Sequence, residues 1–183
     1  LPTTGERRVL PDFDIRGQVT AVPMMLEPYE SVFVVFRTPL DTPISTSIST
    51  NYPKLALLVN VNSPWKVNFN ASQRGPKEQV EFSELLDWTN SDNELIKYYS
   101  GTAYYSNKFT LQSLSKDKKI LIDLGNFTAM AKVKVNGKYA GGLWTPPYQL
   151  DISDLVIPGE NELEIEIVNT WVNRIIGDMQ LPE

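Results

Sequence analysis

The sequence predicts an all-β fold, an antiparallel β-sandwich, from three observations. Four runs alternate apolar and polar side chains, the period of a strand with one buried face: 120–124, 131–135, 148–152 and 162–168. Turn chemistry separates them, at Asn136-Gly137, Gly141-Gly142, Pro146-Pro147 and Pro158-Gly159. Thirteen prolines and ten glycines among 183 residues suit a turn-rich chain, and a hydrophobic share of 42% is enough for a sizeable core.

Taken in order, the chain opens on Leu1-Pro2-Thr3-Thr4-Gly5, which matches a sortase signal but lies at the wrong end to act as one; Thr4-Gly5 reads as a turn. Segments 13–16, 22–26 and 31–37 read as short strands, with a turn at Pro28-Tyr29-Glu30. The run 31–37 is apolar on both faces, so burial on both sides is expected. Three strands make a poor core alone; residues 1–40 read as a hairpin packed on the sandwich or, as the family resemblance given below implies, as the end of a preceding β-domain. Residues 41–53, rich in Ser, Thr and Pro and without periodicity, read as a linker. The main domain spans 54–183.

Within it, 55–61 and 65–69 read as strands. The stretch 82–99 reads as a loop with helical turns, one capped by Ser83 and one with capping-box spacing from Ser91 to Glu94. Residues 103–111 return to strand, and 112–119 form a charged loop. Asn-Gly at 136–137 favours a hairpin, because a type I′ turn needs positive φ at both central positions. Parity predicts that 162–168 pairs antiparallel with 131–135. Leu163, Ile165, Ile167, Val133 and Val135 then face inward, and Lys132 and Lys134 share the outer face with Glu164 and Glu166.

Composition excludes several functions. A net charge of −5 and a pI near 4.9 argue against nucleic acid and anionic membranes. No apolar run reaches the roughly 18 residues of a transmembrane helix, and no signal peptide opens the sequence. With no cysteine, disulfides and thiolate metal sites are excluded. With no histidine, the commonest general base and metal ligand is missing, and Ser-His-Asp chemistry is impossible within the chain. Catalytic residues are therefore expected to be absent, and so is a dedicated metal site.

Three sets of residues remain candidates. Glu162, Glu164 and Glu166 point to one face of one strand; a row of this kind has no cleft, so it reads as a solvated face rather than an acid–base pair or metal site. Asp123, Asp151 and Asp154 could hold a structural Ca²⁺, but no EF-hand-like spacing is present and turn capping suits them better. The aromatics are the candidates for carbohydrate, whose C–H faces stack on rings while its hydroxyls meet polar side chains. Trp144 and Tyr148 flank a proline-stiffened loop, Trp171, Asn173 and Arg174 follow the last strand, and Trp88, Tyr98 and Tyr99 lie in the irregular segment. The alternative is that these rings fill the sandwich ends or an interface.

The landmarks Asp123-Leu124-Gly125, Val135-Asn136-Gly137, Asp151-Ile152, Pro158-Gly159-Glu160-Asn161 and Asn169-Thr170-Trp171, with Gly101-Thr102-Ala103-Tyr104-Tyr105 upstream, carry a family resemblance. Residues 64–183 resemble the sugar-binding-like (galactose-binding-like) jelly-roll domain of family 2 glycoside hydrolases, most nearly the C-terminal part of family 106 rhamnosidase-like enzymes. The resemblance implies a non-catalytic accessory domain of a bacterial glycoside hydrolase acting on plant or host glycans, periplasmic or extracellular. Its partner would be a catalytic domain of the same polypeptide. An autonomous carbohydrate-binding module is the alternative.

Overall fold

The structure is a computed structural model that describes residues 5, 7–37, 50–52, 54–62, 64–115 and 117–181. The chain divides into two compact units, Leu1–Ala56 and Leu57–Glu183. The opening Leu-Pro-Thr-Thr and most of the expected linker, including 41–49, lie outside the described residues.

In the first unit, β1 (Asp14–Arg16) and β2 (Val19–Ala21) form an antiparallel hairpin. Gly17, at φ 64°, supplies the left-handed conformation its two-residue turn requires. The second strand was expected at 22–26; the Gly17 turn brings it in earlier, at Val19. Asn51 organises the segment behind it. Its amide donates to the carbonyls of Asp12 (2.7 Å) and Pro23 (3.0 Å), and its carbonyl accepts from the Asp12 N–H (2.9 Å).

Segment 31–37 departs from expectation. A turn does form before it, where Tyr29 adopts φ 65° and the Glu30 N–H donates to Glu27 O at 3.0 Å. Residues 31–37 are nevertheless not a strand, and Phe33 is 81% exposed. No strand among the described residues pairs with this run, so its apolar side chains have no second layer to enter. Segment 55–61 likewise is not a strand, and its leucines are exposed.

The second unit is the sandwich. Its elements are β3 (Trp65–Phe69), β4 (Val80–Phe82), α1 (Glu94–Lys97), β5 (Thr102–Leu111), β6 (Leu121–Asp123), β7 (Met130–Val135), β8 (Lys138–Leu143), β9 (Gln149–Asp151), β10 (Gly159–Val168) and α2 (Val172–Asp178). Six strands form an antiparallel sheet in the order β4-β3-β5-β10-β7-β8, and β6 pairs with β9. The alternation that predicts strands also sorts the layers. Val67, Tyr105, Phe109, Val133, Val135 and Leu163 turn inward, where Ile122 of β6 and Ile152 just after β9 join the same core. Gly141 of β8 has φ 156°, a conformation that L side chains rarely adopt, and a Cβ there would press on the Leu150 side chain of β9 at 2.8 Å.

The central register is the one parity predicts. Leu163 lies opposite Val135, Ile165 opposite Val133, Glu164 opposite Lys134 and Glu166 opposite Lys132. Asn136 (φ 52°) and Gly137 (φ 73°) make the hairpin turn between β7 and β8. Gly141-Gly142 is not a turn, however, but part of β8.

The irregular stretch also differs from its reading. Phe82 ends β4, opposite Trp65, so Ser83 caps no helix. Cross-strand burial of Phe82 outweighs the local helical signal. The cap of α1 is Asn93, whose side chain accepts from the Leu95 N–H at 3.0 Å, while Ser91 Oγ accepts from the Asn93 N–H at 3.2 Å. An Asx cap two residues later displaces the expected Ser91 cap. Trp88 and Tyr99 from this stretch are core residues: Phe69 meets Phe82, Trp88 and Tyr99 edge-on at 6.3, 5.3 and 5.0 Å. Trp88 Nε1 donates to Tyr105 Oη at 2.7 Å. Burial pushes the Tyr105 phenol up to about 12, against the smaller opposing effect of that hydrogen bond.

Candidate functional site

Two shallow grooves mark the sandwich surface. The first lies on the outer face of the six-stranded sheet, where strand parity places Lys132 on β7 and Glu166 and Val168 on β10. Lys132 Nζ stands 3.3 Å from Glu166 Oε1, and the Glu166 side chain is half-buried. Tyr139 and Trp144 complete the groove, 62% and 65% exposed.

Five positions separate Tyr139 from Trp144, which in a regular strand sends them to opposite faces. A bulge reconciles them. Lys134 lies opposite Tyr139 while Val133 lies opposite Gly141, so β8 carries one extra residue and its parity reverses. Gly142 then faces outward opposite Lys132, and Tyr139 lies across it: a Cβ on Gly142 would stand 3.2 Å from Tyr139 Oη.

The second groove, about 240 Å³, runs beside α2 and is lined by Thr89, Lys97, Tyr98, Asn173, Ile176 and Gln180. Helix α2 is unusual in its orientation. Gly177 is buried against Tyr98, whose Cβ would be 2.7 Å from an added Cβ. Tyr98 Oη donates to Gln180 Oε1 at 2.8 Å, the Arg174 N–H donates to Ser100 Oγ at 3.0 Å, and Asp178 takes Arg74 at 3.0 Å and Arg174 at 3.2 Å. The small and polar face therefore packs on the sandwich. Val172, Ile175, Ile176 and Met179, at helical spacing along one stripe, are exposed.

The predicted binding residues disperse. Trp144 lines the first groove; Tyr148 does not, and its ring packs tilted against Phe127 with centroids 4.4 Å apart. Trp171 precedes α2 and is exposed, Asn173 lines the second groove, and Arg174 is spent on Asp178. Parity alone puts Lys132 and Glu166 on one outer face, but Tyr139 joins them only through the bulge in β8, which leaves no local sequence signal.

Glu162 and Glu164 are exposed on the outer face of β10. Asp123 and Asp151 serve turns: Asp123 accepts from the Gly125 N–H (2.8 Å) and from Gln149 Nε2 (2.9 Å), and Asp151 accepts from Ser153 Oγ (2.6 Å) and pairs with Lys119 (3.2 Å). Among the described residues, no three acidic side chains are grouped to hold a metal ion. The first groove contains a single carboxylate, Glu166, and the second contains none. No described helix is long and apolar enough to cross a membrane.

No family model matches the chain. It is 42% identical over 120 residues to a protein of Formosa agariphila named "Putative beta-glucuronidase", a match that takes in 64% of this chain and 10% of that protein. Among solved structures, a rhamnosidase from Novosphingobium sp. PP1Y matches 93% of this chain at 36% identity with a TM-score of 0.78, over 16% of its own length. The chain is related to a segment of glycoside hydrolases. A β-glucuronidase from Ruminococcus gnavus shares the fold at 21% identity (TM-score 0.53), over 64% of this chain and 23% of its own. The chain thus spans about a tenth of the curated relative it matches.

Proposed function

We propose that this chain is a non-catalytic accessory part of a larger bacterial glycoside hydrolase, working outside the cytoplasm and scaffolding the catalytic domain of the same polypeptide. The observation that carries this reading is the pairing of a long match on this chain, 93%, with a short one on the rhamnosidase, 16%. Neither groove's lining brings together the two facing carboxylates, about 5–10 Å apart, that most glycosidases use. A jelly-roll assignment within family 2 or family 106 agrees with the hairpin and landmark residues.

The apolar surfaces favour a scaffold. Helix α2 is held by its polar face while it presents an apolar stripe outward, and in the first unit Phe33, Val34, Val35 and Phe36 are exposed. Contiguous exposed apolar surface of this kind marks an interface. We assign both surfaces to contact with the body of the enzyme.

The isolated chain is expected to release no aryl group from aryl α-rhamnosides or aryl β-glucuronides above the buffer rate. Turnover that copurifies with the chain and disappears on substitution of Glu166 would overturn the reading.

A further inference from the structure

We propose that the groove beside α2 is a socket for a carboxylate side chain, an Asp or Glu carried by the catalytic part of the same enzyme. The proposal rests on the accessory role and adds the chemistry of the surface that α2 meets. Asn173 and Ile176 stand one turn apart on α2, and Gln180 follows just past its end. Lys97 and Tyr98, where α1 ends, line the same groove.

The groove has donors to spare. Lys97 is half-buried, and its Nζ lies 5.7 Å from the centre of the Tyr98 ring, so a cation–π contact holds the ammonium beside the groove. Among the described residues no carboxylate pairs with it; Glu94, one turn earlier on α1, is exposed and forms no ion pair with it. Tyr98 Oη donates to Gln180 Oε1 at 2.8 Å, which commits the carbonyl of that amide and leaves its Nε2 hydrogens for another acceptor. Asn173 adds a second amide, with no side-chain hydrogen bond among the described residues. The Asp87 carboxylate beside Thr89 is already engaged by the Thr89 N–H (2.9 Å) and hydroxyl (2.7 Å).

An ammonium and two amides, with no acidic residue in the lining, select an anionic group that only accepts. A carboxylate is such a group, with two oxygens to divide among these donors. A basic side chain would face Lys97 directly, and an apolar one would cover the ammonium without pairing it. The source is a protein rather than a free anion because the groove runs into the exposed stripe: Ile176 belongs to both. An acidic residue flanked by apolar ones fills the socket and covers Val172, Ile175 and Met179 together, whereas a small anion leaves them in water.

The test is zero-length carbodiimide coupling of the complete native polypeptide, followed by peptide mapping. The reagent joins an amine and a touching carboxylate as an amide and takes up the water released. Lys97 is expected to be joined to an Asp or Glu outside the 183 residues, and Lys97→Met to lose that product. Lys97→Glu should lower the unfolding temperature of the complete polypeptide and Lys97→Arg should retain it. The same variants of the 183-residue chain should unfold with the parent, as exposed substitutions do. Absence of the cross-link, coupling of Lys97 only to a carboxylate within the 183 residues, or a Lys97→Glu variant that unfolds with the parent in the complete polypeptide would each overturn the proposal. If Ile175→Lys/Met179→Lys destabilises the complete polypeptide while Lys97→Glu does not, the carboxylate socket falls and the accessory role stands. If neither does, both fall.

Discussion

Replacing Asn161 with Ala is expected to destabilise the sandwich by about 3–5 kcal/mol, the largest effect of any single polar substitution. Asn161 is 0% exposed. Its carbonyl accepts from the Ile157 N–H (2.8 Å) and from Asn136 Nδ2 (2.9 Å), and its amide donates to Ile157 O (2.8 Å) and Gly159 O (3.1 Å). One side chain thus satisfies the turn that enters β10 and ties it to the Asn136 turn on the neighbouring hairpin. Truncation leaves several groups unpaired, each costing roughly 1–3 kcal/mol where water cannot reach it. Asn161→Asp should do no better, because a carboxylate cannot donate to the two carbonyls and its charge would be buried. Urea unfolding reads the loss; a cost below about 1 kcal/mol for Asn161→Ala would mean that water replaces these bonds.

Leu163→Ala is expected to cost about 2–5 kcal/mol, while Glu164→Ala next to it costs under about 0.5 kcal/mol. Leu163 is 1% exposed at the centre of the core, opposite Val135, and Glu164 faces solvent opposite Lys134. A one-residue slip of β10 would exchange the two faces, so the ratio of the costs reports the register directly. The Glu164–Lys134 pairing adds little, because exposed opposite charges across strands contribute at the low end of the roughly 0.2–1 kcal/mol range. Comparable losses from both substitutions in chemical unfolding would contradict the register.

The sheet centre was legible because its information is local. Alternation in 131–135 and 162–168 sets the inward residues, and Asn136-Gly137 sets the hairpin that aligns β7 with β8. What stayed hidden depends on partners distant in sequence. Val80–Phe82 is a strand because Phe82 is buried opposite Trp65, and no pattern within 80–88 records that pairing. Residues 31–37 have strand composition, but a strand needs a neighbour, and composition does not say where the neighbour is. The groove was half legible. Trp144 stood out as an aromatic in a loop, but Tyr139 reaches the same face only through the bulge in β8, and Tyr148 is taken by Phe127. Trp171, Asn173 and Arg174 are adjacent in sequence, yet the helix sends them to solvent, groove and ion pair respectively.

We assign the outward stripe of α2 to contact with the rest of a glycoside hydrolase. Ile175 and Met179 are 56% and 80% exposed, and the side chains that tie the helix to the sandwich are others, Asp178 to Arg74 and Gln180 to Tyr98. The decisive measurement is the thermal unfolding of Ile175→Lys/Met179→Lys in two settings, the 183-residue chain and the complete native polypeptide, with glycosidase activity followed in the latter. In the isolated chain the double variant should match the parent to within about 0.5 kcal/mol, as exposed surface positions do. In the complete polypeptide it should lower both the unfolding temperature and the activity. Equal behaviour of variant and parent in the complete polypeptide would contradict the claim.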